Sequence, residues 1–187
     1  MPILGIIASS TLVAAGDFES IATVSVGGGG AANVEFTSIP ATYTHLQIRY
    51  LIRGANSSNA VETSITYNNS TTNYRGGKQL YGDGSTAIAN GESFTDRNYL
   101  MYSPAATATA SVFSAGITDI LDYANTNKYK VIRSLGGFDS NVLGNGFILF
   151  RSGLWMDTSA ITSIKITAAT GNLAQYSHFA LYGIKGA

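Results

Sequence analysis

Alternation is the feature that most constrains this fold. Over residues 44–53, Leu46, Ile48, Tyr50 and Ile52 fall on one side of an extended chain. His45, Gln47, Arg49 and Arg53 fall on the other, interrupted by Leu51. Successive side chains of a strand point to opposite faces, so this run makes a half-buried antiparallel strand with one apolar face. The rhythm returns in residues 22–26, in 32–39 with Val34 and Phe36 together, in 62–67 with Ile65 and Tyr67, in 164–167, and in the closing stretch from Ser177. Turn-forming clusters stand between these runs: Gly27 to Gly30, residues 54–59, residues 68–73, Gly136-Gly137, Gly144-Asn145-Gly146 and Gly171-Asn172. Strand follows strand and no helix is needed between them. The expected fold is all-β, an antiparallel β-sandwich, jelly-roll-like, of about eight to ten short strands.

Four local expectations follow. The two alternating runs around Gly27 to Gly30 read as a hairpin with a loose loop. Those glycines are not a phosphate cradle, because Ala31-Ala32-Asn33 follows them rather than a Lys-Ser/Thr helix start. Residues 108–123 read as one strand, or two joined by a bend at Gly116. Ile117, Ile120, Leu121 and Ala124 also fit helical spacing, but residues 124–128 make a turn and 129–133 answer as a strand partner. Residues 147–156 are apolar on both faces, which predicts a central strand covered on both sides. The irregular stretch 54–98 is where loops for partner contact are expected.

At 187 residues the chain fits one domain, or one domain with an arm. The sandwich is expected over residues 17–187 and an extended N-terminal anchoring arm over 1–16. The arm carries Ile3, Leu4, Ile6 and Ile7, the side chains expected to anchor the chain to neighbouring subunits. Its apolar stretch lacks the preceding Lys or Arg of a signal peptide. No run reaches the roughly 18 apolar residues of a membrane span, so no membrane insertion is expected. Lys plus Arg number 11 and Asp plus Glu number 11. The balance supplies no field that favours nucleic acid. Charged residues are only 12%, and a neutral polar surface gives little protection against association. There is no cysteine, which excludes disulfides and thiolate metal sites.

The chemistry names no reaction. His45 and His178 are far apart in sequence and would have to converge with carboxylates to hold a metal; they read as strand-face residues. Asp119 and Asp122, three apart on a strand, point to opposite faces and do not form a hydrolytic pair. Asp83 and Asp122 near Asn-rich turns are weak candidates for Ca²⁺, with turn formation the simpler account. No Gly-x-Ser-x-Gly elbow occurs. The protein is therefore expected to be no enzyme, with no catalytic residue, no metal and no cofactor. Tyrosine number is 11, and an exposed aromatic face can stack on a sugar. Tyr74, Tyr81, Tyr99 and Tyr102, in or near the irregular stretch, are the candidates for glycan contact, against core or interface packing.

Several segments together resemble a widespread family of small bacteriophage virion proteins described as structural or tail-fibre-like. They are the opening Ile3-Leu4-Gly5-Ile6-Ile7-Ala8-Ser9-Ser10, the run Leu80-Tyr81-Gly82-Asp83-Gly84, and residues 18–24, 39–49, 119–130 and 179–186. The resemblance spans nearly the whole chain. It implies a virion β-sandwich made in the host cytoplasm, without enzymatic activity, on the particle exterior as a fibre or capsid decoration component. Its implied partners are copies of itself, a homotrimer by analogy, and other virion proteins. The alternative is a carbohydrate-binding receptor-recognition module of a tail fibre, touching a host surface glycan.

Overall fold

The computed structural model describes residues 16–91, 93–140 and 146–186. The expected arm, apart from Gly16, and with it Ile3, Leu4, Ile6 and Ile7, lies outside the described residues. Among the described residues thirteen strands follow one another: β1 (Phe18–Ser25), β2 (Asn33–Phe36), β3 (His45–Ile52), β4 (Ala60–Tyr67), β5 (Tyr74–Arg75), β6 (Lys78–Gly82), β7 (Ala87–Gly91), β8 (Asn98–Pro104), β9 (Ser114–Leu121), β10 (Lys130–Phe138), β11 (Phe147–Trp155), β12 (Ile164–Ala168) and β13 (His178–Ile184). The protein is an all-β sandwich of two antiparallel sheets. The larger has nine strands in the order β1-β13-β3-β9-β10-β11-β6-β7, with β5 paired to β11. The smaller has four, in the order β2-β12-β4-β8.

The core forms where the alternation of each strand turns inward. Leu46, Ile48, Tyr50 and Ile52 of β3 are all buried. They join one apolar cluster with Val34 and Phe36 of β2, Ile65 and Tyr67 of β4, and Ile164 and Ile166 of β12. The clear alternation of residues 44–53 thus reports the sheet face that meets the second sheet.

Two expectations are corrected, and the choice between one strand and two around Gly116 is decided for one. The glycine run is not a hairpin loop: β1 pairs with β13 and β2 with β12, so residues 26–32 carry the chain from one sheet to the other. Gly29 and Gly30 take φ of 90° and 76° there, and a Cβ on Gly30 would stand 2.6 Å from the Leu173 carbonyl oxygen. The left-handed backbone and the close approach both need glycine. Gly116 does not bend the chain, because β9 pairs without interruption along both β3 and β10. It makes room instead: a Cβ would stand 2.4 Å from the Tyr50 ring, which lies over it and hydrogen-bonds Thr118 at 3.1 Å. Finally, β11 is central, between β10 and β6, but only its inner face is covered. Ile148 and Phe150 on its outer face are 66% and 42% exposed.

Candidate functional site

The pairing register lines residues into rows across the outer face of the nine-stranded sheet. One row runs Arg49, Ile117, Leu135, Phe150, Leu80 and Ala89, each directly opposite the next on the neighbouring strand. The adjacent row runs Leu51, Ala115, Gly137 and Ile148. Leu80 is 56% exposed, Leu135 53% and Leu51 47%. Singly exposed apolar residues are ordinary, but a contiguous stripe across five strands is not. Ala115 and Gly116 lie in a shallow depression beside Leu135, with Leu51 and Ile117 also lining it. A second one lies between Leu80, Leu135, Ile148 and Phe150. This apolar band is the feature of the described surface that most calls for a partner.

A polar row borders the band. Gln47, Asp119, Arg133 and Ser152 are opposite one another in order. Gln47 Nε2 donates to Asp119 Oδ1 at 2.9 Å, and Arg133 Nη2 reaches Asp119 Oδ2 at 3.4 Å. Tyr182 continues the row on β13, opposite Gln47. Its ring stacks on Phe18 at 4.7 Å, and the Arg49 guanidinium lies 5.1 Å from the Phe18 ring centre and 5.5 Å from that of Tyr182. This cation–aromatic cap closes the β1 side of the face.

The sandwich edge below it is tied by one carboxylate. Lys185 Nζ contacts Glu19 Oε1 at 2.7 Å, and the Tyr43 hydroxyl donates to Glu19 Oε2 at 2.8 Å. Those hydrogen bonds, Lys185 first, hold the Glu19 carboxyl below its ordinary value of 4.5. The unfolded chain therefore binds the proton first on acidification. The tie contributes in full above the ordinary glutamate pKa and is lost as pH falls through the lower folded value. Melting temperatures recorded between about pH 6 and about pH 3 should show the gap between wild type and Glu19→Gln closing toward acid. A gap that stays constant would remove Glu19 as the source.

The expected glycan tyrosines divide. Tyr74 is fully buried, its ring packed against Trp155 and Tyr67, and so offers no face to a ligand. Tyr99 and Tyr102 are brought together, but around a side chain of the protein itself: the Arg151 guanidinium lies 5.4 Å and 5.2 Å from their ring centres. Arg151, 2% exposed, also donates to Glu62 at 2.7 Å and Gln79 at 2.8 Å. Tyr81 sits two positions beyond Gln79 and packs partly buried on the core. Nothing in composition signalled that Arg151 would occupy these rings. An arginine within an otherwise apolar run, Phe147 to Trp155, was the available clue.

His45 and His178 lie at opposite ends of the β3–β13 pair. The first accepts from the Asp122 backbone N–H at 2.9 Å and the second bonds Ser25 at 2.8 Å. Among the described residues no group of three His, Asp or Glu side chains gathers to hold a metal ion. Asp83 caps its own turn, accepting from the backbone of Ser85 and Thr86 at 2.9 and 2.7 Å. Asp122 pairs with Lys128 at 3.0 Å. No protein-family model, no curated protein and no solved structure matches this chain.

Proposed function

We propose that this protein is a non-enzymatic structural component of a bacteriophage particle, carried on the exterior as a fibre or decoration subunit. It packs against copies of itself and against other virion proteins. The observation that carries the packing part of this reading is the apolar band on the outer face of the nine-stranded sheet, with Leu135, Ile148 and Leu80 each more than half exposed. The particle context rests on the sequence resemblance of residues 3–10, 80–84 and the other segments given above.

The strand order supports the same reading. β1-β13-β3-β9 in one sheet against β2-β12-β4-β8 in the other is the threading of a jelly roll, with β5 to β7 and β10 to β11 as insertions. Jelly rolls serve in viral capsids and in lectins alike, so the wiring favours a virion role by analogy only. Of the tyrosines named for glycan contact, Tyr74 is fully buried and Tyr99 and Tyr102 flank Arg151, whereas the band is open, which favours association through it.

Residues 1–16 anchor the subunit in this scheme, by filling a groove or adding a strand to a neighbour. A chain lacking residues 2–16 should keep its cooperative melt and fail to join particles, as read by the copy number per purified particle. Normal incorporation of that chain would overturn the anchoring role.

A further inference from the structure

We infer that the apolar band is the seat of the N-terminal segment, residues 1–15, of a second copy of this chain. The inference deepens the proposed function, because it names the surface on which the anchoring arm docks. Residues 1–15 carry no charged side chain and hold Ile3, Leu4, Ile6, Ile7, Leu12 and Val13. The band matches that chemistry: between Leu51 and Leu80 its two rows present aliphatic and aromatic side chains, with Arg49 at the margin. Two rows across a sheet are about 7 Å wide, which suits one extended segment better than a second flat sheet. Along the band lie two shallow depressions that share Leu135, one lined by Leu51 and Ala115 and the other by Ile148 and Leu80.

The position of Gly16 argues that the segment comes from another copy. A stretch of 15 residues reaches up to about 50 Å when extended, so length does not limit it. The route does. Phe18 is paired with Ile184, whereas the band meets β13 at Ala180, and the Tyr182 row lies between them. An arm taking the direct route across its own sheet crosses Gln47, Asp119 and Arg133 and strips water from their ion pair. It would also have to pass the Arg49 cap over Phe18 and Tyr182. A segment arriving from a neighbour need not cross that row and can lie over apolar side chains.

The chain has no cysteine, so single cysteines make a clean test. Full-length Ile6→Cys and full-length Ile148→Cys are mixed and mildly oxidised, after thermal melts show that both fold as wild type does. The expected product is a disulfide-linked dimer containing one chain of each kind. Adding Leu135→Arg to the Ile148→Cys chain should lower its yield about tenfold, since a charge then lies under the arm. Linkage only between two Ile148→Cys chains would show the faces stacking on each other, and overturns the inference. An intrachain link in the Ile6→Cys/Ile148→Cys double variant, at monomer mass, overturns it in favour of the chain's own arm. No link at all overturns it too. Where deletion of residues 2–16 blocks incorporation but no link forms, the structural role stands and this placement falls. Where the link forms and the deleted chain still incorporates, the reverse holds.

Discussion

Trp155→Ala should lower the free energy of unfolding by roughly 3–5 kcal/mol, the usual cost of truncating a large buried aromatic. Trp155 is 1% exposed and stands where three strands meet. Its ring centre lies 5.5 Å from that of Tyr67 on β4 and 6.2 Å from that of Tyr74 on β5. Tyr74 in turn accepts the Tyr67 backbone N–H at 2.8 Å, closing the turn that separates them. Burial pushes the Tyr74 phenol up to about 12 and that of Tyr67 well above 10. Removing the indole therefore loosens both sheets at once. Trp155 is the sole tryptophan, so urea unfolding is best followed by circular dichroism. A loss under about 1 kcal/mol would mean that the site collapses without consequence for the two tyrosines.

The second large effect is expected at Glu62. Glu62→Ala should cost about 3 kcal/mol, because it removes the carboxylate that pairs with a nearly fully buried guanidinium. Arg151 bridges the sheets: it rises from β11, meets Glu62 of β4 and Gln79 of β6, and lies between the Tyr99 and Tyr102 rings of β8. Arg151→Met with Glu62→Leu takes both charges away, and apolar replacement of a buried pair is commonly near neutral. The double variant should thus be more stable than Glu62→Ala alone. Equal losses in both, read from urea midpoints at constant slope, would show that lost packing rather than an uncompensated charge sets the cost.

Much of the fold was legible because it obeys local rules. β3 could be read residue by residue, since one face meets the second sheet and the other meets solvent. The β9–β10 turn and the β12 alternation were equally plain. In β1 the alternation was clear only from Ala22, and the reason is a bulge between Ser20 and Ala22 that puts Ile21 and Ala22 on the same inward side. What local rules do not carry is partner choice. The glycine run between β1 and β2 looked like a hairpin because adjacent strands usually pair; the pairing of β1 with β13 and of β2 with β12 is set by residues far along the chain. The irregular stretch hid β5 to β7, which are short and depend on β11 for support. For the site, the two apolar faces of residues 147–156 were visible, and they implied a covered strand. The folded chain leaves that second face open, at Ile148 and Phe150. Aromatic content likewise says nothing about which cation inside the protein will lie over a ring, as Arg151 does at Tyr99 and Tyr102.

The pairing of β1 with β13 bears on how this polypeptide acquires its shape. Phe18 finds its partner in Ile184, so among the described strands the one made first waits for the one made last. Closing so long a loop precedes the reward from its contacts, and topologies of this kind reach the native state in milliseconds to seconds rather than microseconds. During that interval β3 lacks the neighbour that will separate it from β1, and both offer unpaired backbone. Nascent chains crowded on one messenger would then risk joining through those edges before each has finished its own sheet.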